Sequence, residues 1–430
     1  MPPVATHPPI DHQLTTLDSG LRIVTSEMPH ARSVSINIFV GVGSRYESPD
    51  RAGVSHFVEH LVFKGTERRP TAKEISGVVE GVGGVLNAGT EQELTVYWSK
   101  VALDHCAEAI DLLFDMLRNS VYAEEEIEKE RLVVFEELNM VNDFPNQKVD
   151  ALIDELLWPG HPLGRDIAGT RDSVASITRD IMLDHVSRYY TPSNIIVSVA
   201  GNVPHEQIVD QVAELSQDWS PHPVPGWEPF VHSQSAPQLR TEYRSTEQAH
   251  LSIAMPGLPM VHPDRYALDL LNVILGEGMS SRLFIEVREN RGLAYDVHSD
   301  VTHFRDCGAL LISAGVDPKR IYTAVDTILA EVGRLREGVP EDELEKAKRL
   351  SAGRLTLRME DTRVVAGWMG AQELLIGEIL EPDEVVRRVG RVSSGDVRRV
   401  ANDLIVTSGL NMAVVGHCRG KTRLQRTLVL

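Results

Sequence analysis

An internal repeat is the feature that most restricts how this chain of 430 residues can fold. Three short patterns recur in the same order at separations of 214, 215 and 217 residues, beginning at Pro49 and Pro263, at Ser193 and Ser408, and at Glu126 and Glu343. The second of these patterns precedes an apolar segment that ends in glycine in both halves. Repeats at one nearly constant spacing indicate that two copies of one fold follow each other.

A proline-rich segment separates the two copies. Residues 219–229 read Trp-Ser-Pro-His-Pro-Val-Pro-Gly-Trp-Glu-Pro. Proline removes a backbone donor and breaks both helices and central strands, so this segment is predicted to be a semi-rigid linker. We therefore predict a first domain at residues 1–220, a linker at residues 221–235 and a second domain at residues 236–430. The 42% hydrophobic content is sufficient for two cores.

Each half shows the same order of strands and helices. Strands are predicted early, at residues 33–42 and 250–255, and each half closes on an apolar strand, at residues 195–200 and 410–415. Long helical segments lie between them. This order predicts an α+β fold in which two tandem homologous domains each pack helices on one face of a mostly antiparallel sheet.

Residues 56–60 read His-Phe-Val-Glu-His and indicate a metal-dependent hydrolase. On a helix, His56 and His60 project from one face one turn apart, which suits two ligands of a single metal ion. Glu59 lies beside them without being needed as a ligand. A carboxylate in that place can act as a general base, taking a proton from water as the water attacks a carbonyl carbon.

A third protein ligand is predicted on a long acidic helix at residues 124–139. Glu130 and Glu137 are seven residues apart, so they share a helix face two turns along. Spacing alone leaves Glu136 open as an alternative. For each of these glutamates an ordinary solvated helix face is also an open interpretation.

A structural zinc site would need four closed protein ligands, usually with cysteine among them. The cysteines of this chain are Cys106, Cys307 and Cys418, which lie far apart in the sequence. Two histidines with a nearby carboxylate are more typical of an open catalytic site.

The second copy lacks the polar set. At the positions equivalent to His56, Glu59, His60, Glu130 and Glu137, the second half carries Leu270, Val273, Ile274, Ala347 and Arg354. The scaffold therefore needs only apolar residues at most of these positions. Because buried polar groups cost free energy, the set in the first copy indicates a function. We predict one zinc ion per chain, bound by the first half.

These residues resemble the insulinase and pitrilysin family of zinc peptidases, which has the same inverted metal motif and includes the mitochondrial processing peptidase among its short-chain members. Glu137 follows the motif at the spacing of the family's third ligand. The resemblance implies that His56, His60 and Glu137 bind zinc and that Glu59 is the general base. It also implies that Glu130 supports the site from behind.

Residues 83–90, Gly-Gly-Val-Leu-Asn-Ala-Gly-Thr, are similar to the family strand that pairs with substrate backbone as an added edge strand. The resemblance implies that Asn87, Ala88 and Thr90 contact the substrate. Gly89 replaces a bulkier residue that is common there, which leaves the pocket near the scissile bond open. Without the resemblance, the segment is a glycine turn before a core strand. His161, in a segment similar to the family's His-Pro-x-Gly-Arg, is predicted to be structural.

Arg288 and Tyr295 in the second half match an arginine and a tyrosine of the family, also seven residues apart. The resemblance implies that Arg288 holds substrate backbone and that Tyr295 donates a hydrogen bond to the developing oxyanion. Without the resemblance, Tyr295 is an ordinary strand residue with its hydroxyl at the surface.

Composition restricts the partners and the location. A net charge of −19 argues against nucleic acid and agrees with peptide substrates that are basic or neutral. No apolar run approaches the ~20 residues of a membrane span. The first twenty residues show no secretory signal, and three scattered cysteines suit a reducing cytosol. We expect a cytoplasmic protein, and a processed organellar form is the open alternative.

Family members of this length pair as dimers that enclose a chamber. The resemblance therefore implies a homodimer, or a heterodimer with a paralogue, that admits peptides and unfolded segments but excludes folded proteins. Three functions remain: a zinc endopeptidase, a non-catalytic scaffold or partner subunit of a processing complex, and a structural zinc protein. The complete polar set favours the first.

Overall fold

The computed structural model describes residues 11–418 and 420–430 and confirms an α+β fold built on two β-sheets. The first ten residues, half of the segment in which a secretory signal was considered, lie outside the described part. The strands, in chain order, are β1 (His12–Thr16), β2 (Arg22–Glu27), β3 (Ser33–Val40), β4 (Val85–Thr90), β5 (Thr95–Ala102), β6 (Ile195–Gly201), β7 (Gln238–Tyr243), β8 (Ala249–Pro256), β9 (Ala294–His303), β10 (Gly308–Val316) and β11 (Asn411–Gly416).

The α-helices connect these strands and lie in both halves. In chain order they are α1 (Val54–Leu61), α2 (Ala72–Glu80), α3 (Cys106–Asn119), α4 (Glu124–Asp143), α5 (Pro145–Leu157), α6 (Arg171–Ser176), α7 (Arg179–Tyr189), α8 (His205–Ser216), α9 (Arg265–Gly276), α10 (Ile321–Arg334), α11 (Glu341–Arg358), α12 (Thr362–Leu375), α13 (Pro382–Arg391), α14 (Ser394–Leu404) and α15 (Lys421–Thr427). Among the described residues, none of these helices has the length and apolar character needed to span a membrane.

The two sheets have the same topology. The first has the strand order β1-β2-β6-β3-β5-β4 and the second has the order β7-β11-β8-β10-β9. Without β1, the two orders correspond strand by strand, and each contains one parallel pair, β2 with β6 and β7 with β11. The other paired neighbours are antiparallel. The repeated sequence patterns therefore mark a repeated fold, and the predicted mostly antiparallel sheets are confirmed.

The main helical layer of the first sheet lies on one face. Ile36 and Ile38 of β3 are fully buried in a core that includes residues of α1 to α4 and α6 to α8. Phe39, the residue after Ile38, belongs to a separate core with residues of α12. Because successive side chains of a strand point to opposite faces, both faces of this sheet are covered. The second face is covered by a helix from the second half of the sequence.

The second sheet is covered in the corresponding way by α5, a helix from the first half. Val149 and Ile153 of α5 pack with Ala254, Ala413 and Val415 of the sheet. Proline at the first position of α5 fixes φ where the missing amide is not needed. The apolar residues that recur at helical spacing along α5 are buried against the second sheet.

Packing divides the described chain into two compact units that are not continuous in sequence. The first comprises residues 11–138, 166–228 and 355–383, and the second comprises residues 139–165, 229–354 and the rest from residue 384. The predicted division at residues 221–235 separates the two sequence copies. The packing units differ from the copies because two helices pack on the sheet of the other copy. Helix α5, from the first copy, covers the second sheet, and α12, from the second copy, covers the first sheet.

The proline-rich segment forms neither helix nor strand between residues 219 and 235, as its composition predicts. Its first part is fixed to the first unit by Arg45, a fully buried side chain. The guanidinium of Arg45 lies 3.9 Å from the ring centroid of Trp227, donates to the carbonyl oxygen of Glu228 at 2.9 Å and pairs with Glu93 at 2.7 Å. Residues up to 228 are therefore held rather than free.

Gly370→Ala is expected to lower the free energy of unfolding by about 1–3 kcal/mol, the usual cost of overpacking a core. A Cβ at Gly370 would lie 2.3 Å from the ring of Phe39 and 2.9 Å from the Cβ of Ser198. Gly367→Ala in the same helix is the matched control, because its Cβ would meet only Asn37 at 3.7 Å. Alanine favours a helix over glycine by up to about 1 kcal/mol, so the control should be neutral or stabilising. Equal denaturant midpoints for the two variants would contradict the packing described.

Candidate metal centre

Helix α1 combines a buried apolar face with a polar face. Phe57, Val58 and Leu61 are almost completely buried in the core of the first unit. His56 and His60 lie on the other side, with 18% and 16% of their side-chain surface exposed. The apolar residues fix the helix against the sheet, and the two imidazoles are left at a partly accessible surface.

Three ligand atoms converge there, from His56, His60 and Glu137. The Nε2 atoms of the two histidines are 3.3 Å apart, and Oε2 of Glu137 lies 3.7 Å from His56 Nε2 and 3.6 Å from His60 Nε2. Ligands at 2.0–2.1 Å around a tetrahedral zinc ion lie about 3.3–3.4 Å from one another. Within the described ranges, these three residues form the group of potential metal ligands that lies within 4.8 Å.

The acidic helix predicted at residues 124–139 is α4, which extends to Asp143. Glu130 is buried, while Glu137 is 40% exposed and turned toward the histidines. Glu136, which spacing leaves open, is not a member of the converging group. Oε2 of Glu137 is buried and accepts no hydrogen bond from the described residues. An unpartnered carboxylate oxygen facing two imidazole nitrogens is suited to a cation.

Glu130 lies behind His60. One of its carboxylate oxygens accepts from His60 Nδ1 at 3.1 Å, and the other accepts from Lys64 Nζ at 2.6 Å. A hydrogen bond of this kind fixes the tautomer and the orientation of a metal-binding imidazole. With its proton on Nδ1, His60 presents the Nε2 lone pair toward His56 and Glu137. Lys64 was not found from the sequence, where it stands as an ordinary cation after the metal motif.

His56 is held differently. Burial, with a smaller effect from His60, lowers the pKa of His56 to about 4, so the imidazole is neutral at physiological pH. The neutral form is the one that binds a metal. Its Nδ1 atom is buried without a hydrogen-bond partner among the residues that the structure describes. His60 therefore has a carboxylate behind it, and His56 does not.

Glu59 lies close enough to His60 and Glu137 to interact with both electrostatically, and Thr90 binds its carboxylate. The Thr90 hydroxyl donates to Oε2 of Glu59 at 2.5 Å. Burial raises the pKa of Glu59 above its ordinary value, and the hydrogen bond from Thr90 opposes this shift. The structure thus places Thr90 next to the predicted base, a position that the sequence assigned only to substrate contact.

The two imidazole nitrogens and the carboxylate oxygen fit zinc. Zinc accepts this donor set in open sites that hold three protein ligands and leave a position for water or substrate. The short distances between the three atoms fit one small ion. No cysteine belongs to the group within the described part of the chain.

The predicted substrate strand is β4, and it lies at the edge of the first sheet beside β5. Asn87 Oδ1 accepts from the backbone amide of Ala88 at 2.8 Å, which covers one donor of this edge. A Cβ at Gly89 would meet nothing within 4 Å, so no neighbour in this chain requires a glycine there. An edge strand with free backbone groups can accept another strand.

Arg288 and Tyr295 belong to the second unit. Arg288 lies near the end of a π-helical stretch, Phe284–Asn290, and its guanidinium is 4.8 Å from the ring centroid of Phe284 and 4.9 Å from that of Tyr295. Tyr295 is the second residue of the edge strand β9, and 76% of its surface is exposed. Short π-helical stretches are common at functional sites.

His161 makes structural contacts, and so do the residues of the second copy at the positions of the ligands. His161 is buried, accepts from the amide of Leu163 at 3.2 Å and contacts the ring of Phe230. In the second copy, Leu270 and Ile274 are buried on α9, which replaces the polar face of α1 with core residues. Arg354, at the position of Glu137, pairs with Glu277.

Glu130→Gln is expected to weaken zinc binding by about 10–100-fold, the usual effect of losing the partner of a ligating histidine. Glutamine removes the charge that His60 Nδ1 and Lys64 share. Competition with a chromogenic chelator measures the affinity. Glu125→Gln, an exposed position on the same helix, is the control and should bind zinc like the wild type. Unchanged affinity in Glu130→Gln would contradict a role in holding His60.

Two family models match the sequence. A model described as insulinase, peptidase family M16, matches residues 22–171, and one described as peptidase M16 inactive domain matches residues 176–351. The first match contains the converging ligands. The second contains the aliphatic positions of the second copy.

Relatives and solved structures are similar over almost the whole chain. An uncharacterized zinc protease of Streptomyces coelicolor is 37% identical over 95% of this chain and 90% of its own length. The uncharacterized zinc protease YmxG of Bacillus subtilis is 37% identical over 90% of this chain and 94% of its own length. The crystal structure of a protease from Helicobacter pylori matches with a TM-score of 0.89 and 23% identity, covering 95% of this chain and 100% of that chain.

Proposed function

The chain belongs to the insulinase family of peptidases, family M16, and on that premise we propose that it is a zinc-dependent endopeptidase that hydrolyses peptides or unfolded segments. The observation that carries the proposal is the convergence of His56, His60 and Glu137 within 4.8 Å. The Glu59 carboxylate lies close enough to His60 and Glu137 to interact with both electrostatically. A scaffold protein would not need these polar groups in a position where the second copy has aliphatic residues.

We assign the parts of the reaction to residues of the first unit. His56, His60 and Glu137 would hold one zinc ion, which supplies Lewis-acid chemistry and lowers the pKa of water when it is bound. Glu59 takes the proton from the attacking water and later delivers it to the leaving amine. Thr90 orients the carboxylate of Glu59 through its 2.5 Å hydrogen bond.

The substrate is proposed to bind as an extra strand along β4. Strand addition uses main-chain hydrogen bonds for affinity, which suits peptides of varied sequence. Asn87 and Ala88 would contact substrate backbone, and the acidic charge of the chain favours basic or neutral peptides. Arg288 is proposed to hold substrate backbone and Tyr295 to donate to the oxyanion. Tyr295 is exposed, as a residue that meets a substrate must be.

We also propose that the chain pairs with a second copy, or with a paralogue, around a closed chamber, as in the short-chain processing peptidases. Each active site would then combine the metal centre of one chain with Arg288 and Tyr295 of the other. The exclusion of folded proteins would follow from the size of the chamber.

Subunit mixing is expected to restore activity if the site is shared in this way. Glu59→Gln and Tyr295→Phe are each expected to be inactive alone. A mixed dimer would contain one site with both defects and one site with neither. Activity near half of the wild-type value per dimer is expected, once mass measurement of a tagged mixed dimer has shown exchange. Without rescue in verified mixed dimers, sharing is excluded while the zinc chemistry stands.

Zinc content together with cleavage of an internally quenched peptide tests the proposed function. Near-stoichiometric zinc with peptide cleavage supports an endopeptidase. Zinc without cleavage of any peptide in a diverse library would indicate a scaffold or partner subunit. Protein that loses its fold with the metal would indicate a structural zinc site.

A further inference from the structure

The start of helix α1 is fixed by a buried carboxylate. Glu47 is 5% exposed, and its two oxygens accept from two backbone amides, Oε2 from Gly53 and Oε1 from Ser55, each at 2.7 Å. Gly53 precedes the helix with φ of +93°, a conformation that favours glycine. The first amides of a helix have no partner within the helix, so a carboxylate here satisfies two of them and complements the helix dipole.

The second copy shows that the fold does not require this carboxylate. Aligning the copies on their common Pro-Asp-Arg pattern places Val261, which is 64% exposed, at the position of Glu47. Helix α9 begins at Arg265, the equivalent of Arg51, so α1 begins three residues later than its counterpart. The two helices end within one residue of each other. The second copy, which has aliphatic residues at the histidine positions, therefore lacks both the later start of the helix and the carboxylate.

The two histidine ligands differ in what holds them. The ring of His60 is fixed through Nδ1 by Glu130 at 3.1 Å. His56 Nδ1 is buried and has no partner among residues 11–418 and 420–430. His56 is also the third residue of α1, immediately after Ser55, whose amide Glu47 binds. Its position must come from the backbone of the first turn.

We infer that Glu47 is a positioning residue of the metal centre, which sets the place of His56 by holding the first turn of α1. Hydrogen bonds from amides to a carboxylate are short and strong, and two of them fix the direction of the turn. Glu47 does for His56, through the backbone, what Glu130 does for His60 through the side chain. The inference rests on the proposed function, because it needs His56 to be a zinc ligand.

Zinc affinity of Glu47→Gln tests the inference. Glutamine keeps the length of the side chain but can accept with only one atom and has no charge. We expect zinc affinity, measured by chelator competition, to fall by about 10–100-fold, as for loss of other groups that orient a ligand. The visible absorption of the Co²⁺-substituted protein should change as well, because it reports coordination geometry.

Thr71→Ala is the matched control for helix capping in general. Thr71 caps α2, accepting from the amide of Glu74 at 3.2 Å, and α2 carries no ligand. This variant should lower the unfolding temperature and leave both zinc affinity and the Co²⁺ spectrum unchanged. A merely structural role for Glu47 would give the same result as the control.

The outcomes separate the inference from the proposed function. Weaker zinc binding in Glu47→Gln but not in Thr71→Ala supports the inference. Wild-type affinity and spectrum in folded Glu47→Gln overturn it and leave the peptidase proposal intact. If Glu47→Gln does not fold, Glu47→Asp, which is too short to reach both amides, decides by the same two readouts. A wild-type protein that binds no zinc refutes the proposed function and the inference together.

Discussion

Glu59→Gln is expected to lower kcat for peptide hydrolysis by about 10²–10⁴-fold, the usual contribution of general acid–base catalysis, while the protein keeps one zinc ion per chain. Glu59 is not a member of the converging group but interacts electrostatically with two of its members, His60 and Glu137. Glutamine fills the same space and can still accept the hydrogen bond from Thr90, but it cannot take a proton from water. Metal analysis and kcat on a quenched peptide at saturating concentration measure the two effects separately.

Glu80→Gln provides the matched control for this change. Glu80 is an exposed residue at the end of α2, so the same chemical change there should leave kcat and zinc content at wild-type values. A zinc-loaded Glu59→Gln enzyme with wild-type turnover would refute the assignment of the base. Loss of zinc from Glu59→Gln would instead mean that the carboxylate is needed for metal binding.

His60→Ala and Glu137→Gln are expected to lose zinc and activity together. Each removes one of three protein ligands, so the loss of affinity should exceed the about 10–100-fold that removal of an outer partner costs. Glu136→Gln is the control, because Glu136 neighbours Glu137 on α4 but is not a member of the converging group. Zinc affinity lost in Glu136→Gln and kept in Glu137→Gln would reverse the assignment.

The fold should survive removal of the metal. Phe57, Val58 and Leu61 are buried in a core that continues across the sheet, and α9 forms in the second copy with Leu270 and Ile274 in place of the histidines. After chelation, the far-ultraviolet circular dichroism should stay unchanged and added zinc should restore activity. Loss of secondary structure on chelation would point to a structural metal.

The sequence alone predicted the repeated α+β fold and the main strands to within about two residues. Hydrophobic alternation and helical spacing are local properties, so each copy could be divided into elements without knowledge of its neighbours. His56, Glu59 and His60 could likewise be recognised from the sequence. They lie within five residues, and one helical turn is enough to place both imidazoles on one face. The resemblance to a family added Glu130, Glu137, Arg288 and Tyr295, which spacing could not select.

Only the tertiary structure decided which groups from distant segments meet. Glu130 and Glu137 share a face of α4, but whether either reaches His60 depends on how α4 packs against α1. The distances of 3.1 Å and 3.6 Å answer this question. For the same reason, the sequence did not show that Glu47 binds backbone amides at the start of α1 or that Thr90 binds Glu59. The exchange of α5 and α12 between the sheets was also invisible, because an amphipathic helix specifies that it will be buried but not against which sheet. Periodicity along the chain fixes local structure, whereas contacts between distant segments depend on packing that no single segment encodes.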